Sequence, residues 1–133
     1  MDRVLPQPTP ETLHFWEGCK VGELRLQRCL ECRGAYFPPR PFCPVCGARE
    51  VEVFAASGRA SLYSYVIAHR PRPDMGTAPH SIAVVALEEG PRMMTNIVDC
   101  PQTPEALVLD MPVAVRFETF GEIALPFFAP TGA

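Results

Sequence analysis

The period of the apolar positions changes along the chain, and the changes divide it. Between residues 11 and 22 large apolar side chains recur at helical spacing, with Leu13, Phe15, Trp16 and Cys19 forming the stripe and Gly22 ending it. Ahead of them, Thr9, Pro10 and Glu11 supply a capping hydroxyl, a proline suited to the first helical position and an acid for the first turn. One amphipathic helix of about three turns is expected there. Leu24 and Leu26 then alternate with Arg25 and Gln27, which predicts a short strand. Ala35, Tyr36 and Phe37 predict a second, ended by Pro38 and Pro39.

Past residue 50 the texture is that of strands separated by turns. Residues 51–55 read as a short lead-in strand. Residues 59–69 read as a long one, carrying Leu62, Tyr63, Tyr65, Val66 and Ile67, which suit a pleated surface. Three prolines make residues 70–79 a loop, too constrained for a helix or a central strand. Further strands are expected at 81–87, 92–98, 113–119 and 123–128, with a hairpin turn at 88–91 and a turn at 110–112. Residues 104–107 leave room for a turn or two of helix. Five short antiparallel strands with a long first one and a link between the third and fourth predict an OB-fold barrel. An SH3-like barrel would match the strand number, but the segment 100–110 falls where an OB-fold carries its link. The expected architecture is mainly β: an N-terminal tail and helix (1–23), a rubredoxin-like zinc ribbon (24–50) and a C-terminal five-stranded barrel (51–133).

The ribbon rests on four cysteines. Cys29 and Cys32 form one C-x2-C pair, Cys43 and Cys46 a second, and ten residues separate them. Each pair sits on a tight knuckle that points two thiolates at one place, and two knuckles complete a tetrahedral four-sulfur shell. Two disulfides would use the same residues, but residues 1–10 are polar and carry no apolar run of a secretory leader, so a reducing, cytoplasmic setting is expected. There such spacing favours a metal, with zinc, or iron in a heterologous host, as the expected ion. A closed four-sulfur shell has no open position for water or substrate, so the metal holds structure.

Composition agrees with a small folded protein. At 133 residues, 47% apolar and 20% charged, the chain has room for one compact domain and a small appendage. No apolar run reaches the length that spans a bilayer, so a soluble protein is expected. The net charge of -3 is unevenly spread: residues 1–72 hold ten of the twelve lysines and arginines against seven acids. Arg25, Arg28, Arg33, Arg40 and Arg49 gather around the ribbon. Such a face suits phosphates, an acidic partner or nucleic acid, or is a solvated surface with no partner.

Catalytic constellations are sparse. The thiols outside the ribbon are Cys19, on the apolar stripe of the helix, and Cys100, next to Asp99, whose charge raises a thiol pKa. The histidines are His14, His69 and His80, the last two flanking the proline loop. Neither a Gly-rich phosphate cradle nor a G-x-S-x-G elbow is present. The chain is expected to have no catalytic residue of its own.

Taken in order, FWEG, LQRC, the ribbon with FPPRPFCPVCG, SGRASLYSYVIAHRP, ALEEGPRMMTNIV and DMPVAVRFE resemble a family of acyl-CoA-associated proteins built from a rubredoxin-like zinc ribbon and an OB-fold. The likeness covers roughly residues 11 to 130. Members are the small partner subunits of thiolase-like enzymes and steroid side-chain aldolases. The resemblance therefore implies a hetero-oligomer with a thiolase-like protein that supplies the catalytic residues, and a CoA thioester as ligand.

CoA carries several phosphate charges and an adenine, which call for arginine and an aromatic shelf. Arg40, Arg70 and Arg72 stand beside prolines, and Phe37 and Phe42 lie near the first of them. Arg40, Phe42, Arg70 and Arg72 are accordingly the candidate contacts to CoA or a partner. The apolar segment 124–130 is either a second docking surface or the last strand of the barrel. Two rival roles stand beside the subunit reading. One is single-stranded nucleic-acid binding, disfavoured because the second and third barrel strands carry no aromatic residue and only Arg92 as a base. The other is a scaffold that bridges two enzymes without approaching substrate.

Overall fold

The computed structural model describes residues 5–70 and 78–131. In chain order come α1 (Leu13–Lys20), β1 (Arg25–Cys29), β2 (Ala35–Tyr36), β3 (Val51–Ala55), β4 (Arg59–Ala68), β5 (His80–Leu87), β6 (Arg92–Thr95), β7 (Pro112–Phe120) and β8 (Ile123–Pro130). The protein is mainly β, with one helix near the N-terminus, a ribbon sheet in the order β2-β1-β3 and a curled sheet in the order β6-β5-β4-β7-β8. No helix among the described residues is long and apolar enough to cross a membrane.

The helix is shorter than its apolar stripe suggests. Thr9 does open the turn, since its carbonyl accepts from the amides of Thr12 and Leu13 at 3.0 and 2.8 Å, but residues 10–12 stay a turn and α1 starts at Leu13. The Thr9 side chain caps nothing and meets the Thr12 hydroxyl instead. At the other end Gly22 takes φ +81, and the Glu23 amide reaches back to the Gly18 carbonyl at 2.8 Å, which closes the last turn.

Residues 51–55 do not lead into the barrel. Their strand, β3, lies antiparallel to β1 from Arg25↔Ala55 to Cys29↔Val51, and so completes the ribbon sheet. The barrel opens with β4, which pairs with β5 along its length and with β7 at its start. β7 and β8 form a hairpin through Phe120↔Ile123. β8 is thus a barrel strand: Phe128 is fully buried, and Ala124 and Phe127 are nearly so. Between the third and fourth strands the chain makes turns and no helix, with the Ala106 and Leu107 amides bonded back to the Thr103 carbonyl.

The expected third strand, 92–98, stops at Thr95, and the reason is a side chain. The register Ala83↔Thr95 would next set Ser81 opposite Ile97. Instead the Ser81 hydroxyl stands between the strands, accepting from the Ile97 N–H at 3.0 Å and donating to the Ile97 carbonyl at 3.2 Å. The Ser81 amide donates to Gln102 Oε1 at 2.7 Å. Freed from β5, the chain turns to β8 and pairs in parallel at Ile97↔Phe128, with the Val98 amide 2.8 Å from the Phe128 carbonyl. That bridge closes the barrel in OB-fold order.

One apolar core serves every part. Phe15 and Cys19 of α1, Leu24 and Leu26 of the β1 segment, Leu62, Val85 and Val113 of the barrel and Ile97 and Phe128 of the bridge form a single buried cluster. Phe15 meets Trp16 edge-on with ring centres 4.9 Å apart and leans on Phe37 at 5.2 Å. The aromatic face of the helix is core.

Candidate metal centre

Two knuckles of the same shape build the site. In the first, Cys29 ends β1, its carbonyl accepts from the Arg33 amide at 3.0 Å, and its amide donates to the Gly34 carbonyl at 3.0 Å. In the second, the Cys43 carbonyl accepts from the Gly47 amide at 3.0 Å and its amide donates to Ala48 at 2.8 Å. The fourth residue after each leading cysteine takes a left-handed backbone, Gly47 at φ +79 and Arg33 at φ +66. Glycine does this freely, whereas arginine does it at a cost.

These turns bring the four sulfurs within 4.8 Å of one another. Cys29 and Cys46 Sγ are 3.5 Å apart, and Cys32 and Cys43 Sγ are 3.6 Å apart. A tetrahedron with metal–sulfur bonds of about 2.3 Å has edges of about 3.8 Å, so the donor set fits a zinc ion held by four thiolates. Backbone amides tune the ligands. The Cys32 N–H points at Cys29 Sγ and the Val45 N–H at Cys43 Sγ, both at 3.4 Å. The Cys32 amide holds the Cys29 thiol below its ordinary pKa. The amides of Cys46 and Val45 bring Cys43 down to about 6. Cys29 and Cys43 are thereby held toward the thiolate a metal binds, whereas among the four sulfurs alone hydrogen bonds to the neighbouring sulfurs raise Cys32 and push Cys46 up to about 12. Cys29 and Cys43 are buried, Cys32 and Cys46 exposed, and all four positions of a tetrahedral ion would be taken by protein.

The other candidates lie apart. Arg40 is fixed through its backbone: its amide donates to the buried Gln27 Oε1 at 2.6 Å and its carbonyl accepts from the Tyr36 hydroxyl at 2.9 Å. Its side chain is exposed, as is Phe42 two residues on. Phe37, weighed as a shelf for Arg40, packs in the core against Phe15 instead. Arg70 is exposed just beyond β4 in the barrel, and Arg72 lies outside the described residues. Ala68 stands opposite His80, which leaves His69 one residue beyond the last pair of the β4–β5 ladder. Gln27 was not legible as a functional residue, since alternation placed it on the polar face of its strand, yet it is buried beside Leu26.

Outside the ribbon neither thiol is activated. Burial pushes the Cys19 thiol up to about 12. Cys100 is also raised, first by burial and only then by Asp99. His14 lies on α1 with Nε2 buried and unpartnered, its pKa lowered by burial and then by Arg25. On the barrel surface the Tyr63 ring is covered by the Arg92 guanidinium, 3.9 Å from its centre.

Fold and site together define a rubredoxin-like zinc ribbon joined to an OB-fold. Residues 16–52 match the family model described as ChsH2, rubredoxin-like zinc ribbon domain, and residues 54–118 match ChsH2, C-terminal OB-fold domain. The chain belongs to the ChsH2/DUF35 family. It is 33% identical over 115 residues to a DUF35 domain-containing scaffold protein of Methanothermobacter thermautotrophicus, covering 84% of this chain and 85% of that one. It is 37% identical over 118 residues to a probable enoyl-CoA hydratase alpha subunit of Thermomonospora curvata. The match takes in 87% of this chain but 36% of that subunit, so the chain spans about a third of its length. Among solved structures, the Ltp2-ChsH2(DUF35) aldolase contains a chain of TM-score 0.83 and 34% identity, with 95% of this chain and 98% of that one covered.

Proposed function

We propose that this chain is the zinc-ribbon and OB-fold subunit of an acyl-CoA enzyme complex, in which a thiolase-like partner carries the reacting groups. The observation behind this reading is the likeness, over nearly its whole length and at 34% identity, to a chain of the Ltp2-ChsH2(DUF35) aldolase. The poverty of the chain in catalytic groups points the same way. Forming or breaking a bond beside a thioester carbonyl needs an activated nucleophile or a base placed at the acidic carbon. Here the free thiols are protonated and the sulfurs of the ribbon face one another.

In this reading the chain contributes rigidity and contacts. A zinc ion would be held by Cys29, Cys32, Cys43 and Cys46, where it supplies fold and no chemistry. Gln27 and Tyr36 set the backbone at Arg40, so that its guanidinium and the exposed ring of Phe42 are offered from a fixed loop. Arg70, exposed just beyond β4, would add charge, and Arg72 is kept as a further candidate contact from the sequence. Phosphates of CoA or acids of the partner are the matching groups.

Co-expression with the thiolase-like protein encoded nearest to it tests the subunit role directly: a stoichiometric complex that turns over an acyl-CoA is expected, and no association overturns the proposal. Relatives described as scaffold proteins favour a second reading, in which the chain bridges enzymes without meeting substrate. Arg40→Ala and Arg70→Ala in the assembled complex separate the two. A raised KM with assembly intact supports the CoA contact, whereas unchanged kinetics support the bridge.

A further inference from the structure

Strands β4, β5 and β6 turn one set of side chains into the barrel and the other set outward. The register shows which residues share the outer side: Val66 stands opposite Ile82, Ser64 opposite Val84, and Val84 opposite Met94. The inward Ala83 and Val85 are buried, whereas Val66 is 61% and Met94 70% exposed. Ile82 is exposed as well, and Val84 is half-buried between them. Four apolar side chains thus lie side by side across three strands, facing out.

An irregularity in β4 adds an aromatic ring to this face. The β4–β5 register slips between Leu62 and Ser64, so Tyr63 is paired with no residue of β5. A bulge of this kind re-aims a side chain. Leu62 stays in the core, while the exposed Tyr63 ring lies outside with the Arg92 guanidinium 3.9 Å from its centre. Ala86, the partner of Arg92 in the register, is the smallest outward residue of β5 and leaves room for the two to meet across it.

A surface of valine, isoleucine, methionine, tyrosine and arginine has the composition of the centre of a protein interface. Charge then selects what covers it. Residues 61–66, 82–86 and 92–94 include no carboxylate. One end of the face carries Arg92, and the other lies toward Arg70, exposed just beyond β4. Two copies packed face to face about a twofold axis, along or across the strands, would set Arg92 against Arg92 or against the Arg70 end. Either arrangement opposes cations. The surface that fits is a different one, apolar at its middle and acidic where it meets Arg92. We propose that the thiolase-like partner docks on this face, seating an apolar patch on Val66, Ile82, Val84 and Met94 and a carboxylate against the Arg92–Tyr63 pair. This location rests on the subunit reading.

The test uses the zinc-loaded full chain co-purified with that partner. Hydroxyl-radical footprinting should show Met94 and Tyr63 labelled in the isolated chain and largely shielded in the complex. Met94→Glu should weaken assembly about thirtyfold, the scale of one central interface residue. Arg92→Glu, which opposes the partner's carboxylate, should weaken it comparably, whereas Val53→Glu, on exposed β3 of the ribbon sheet, should not. Full assembly by either face variant, equal weakening by Val53→Glu, or unshielded Met94 and Tyr63 would overturn the docking face and leave the subunit reading standing. An unaltered chain that forms no complex would overturn both. A dimer of the isolated chain that Met94→Glu dissolves, read by sedimentation, would assign the face to a second copy and overturn the proposal. If a variant does not fold, footprinting of the unaltered complex decides.

Discussion

The Ser81 hydroxyl occupies the place where Ile97 would otherwise pair with β5, and it binds both backbone groups of that residue. Replacing the hydroxyl leaves the buried Ile97 N–H with no acceptor, while its carbonyl keeps Gln102. Ser81→Ala should therefore cost about 1–3 kcal/mol in urea unfolding. It should also speed amide exchange at Val98, whose bond to Phe128 closes the barrel. A loss below a few tenths would mean that water or a shifted backbone takes over the role.

Metal removal should act locally before it acts globally. One zinc per chain is expected by elemental analysis, and a strong chelator should raise hydrogen exchange across residues 29–48 first. Leu24 and Leu26 are held by the common core, so the first part of β1 should exchange with the barrel and later than the knuckles. Simultaneous loss of protection throughout would show that the metal supports the whole fold.

Thiol reactivity should follow burial. With Cys19 pushed to about 12, only about one molecule in ten thousand carries its thiolate at pH 8, so iodoacetamide should spare it until the chain unfolds. Cys100, partly exposed and raised less far, should react slowly in the folded state. The sign for stability follows. A thiol raised on folding contributes fully below its unfolded pKa near 9 and loses that contribution as pH climbs toward 12. Alkaline unfolding should become easier across that window and should flatten in Cys19→Ala, as a pH series of urea midpoints would reveal.

Gly58 combines a left-handed backbone with a close side-chain neighbour. Its φ is +83, its carbonyl takes the Val115 amide at 2.8 Å, and an added Cβ would lie 2.7 Å from Val115 Cγ1. Gly58→Ala should destabilise by about 2 kcal/mol. Gly90→Ala, at φ +115 with open space around it, supplies the control for backbone strain alone. Equal losses in the two would remove the steric contribution of Val115.

Local signals carried much of the fold into view. The cysteine spacing marked the knuckles, and the apolar run at 81–87 marked β5 as a strand, though not which of its faces is buried. What escaped was non-local. Nothing within residues 51–55 tells which sheet they join, because that depends on β1 lying alongside. The early end of β6 depends on a serine in another strand. Gln27 is polar by type and buried by position, since its partner is a backbone amide thirteen residues away. A cleft lined by His80, Asn96, Glu118 and Phe127 joins four separate stretches of sequence, none with a motif.

The common core also bears on how such chains can be cut and joined. The two matched segments, 16–52 and 54–118, meet at residue 53, but Phe15, Leu24 and Leu26 fill space beside Leu62 and Val85. The first segment begins after Phe15, and the second ends before Phe128. A barrel severed at residue 53 would open a greasy hollow to water. Any fusion or transplant that aims to keep the barrel folded must therefore carry the helix and β1 with it.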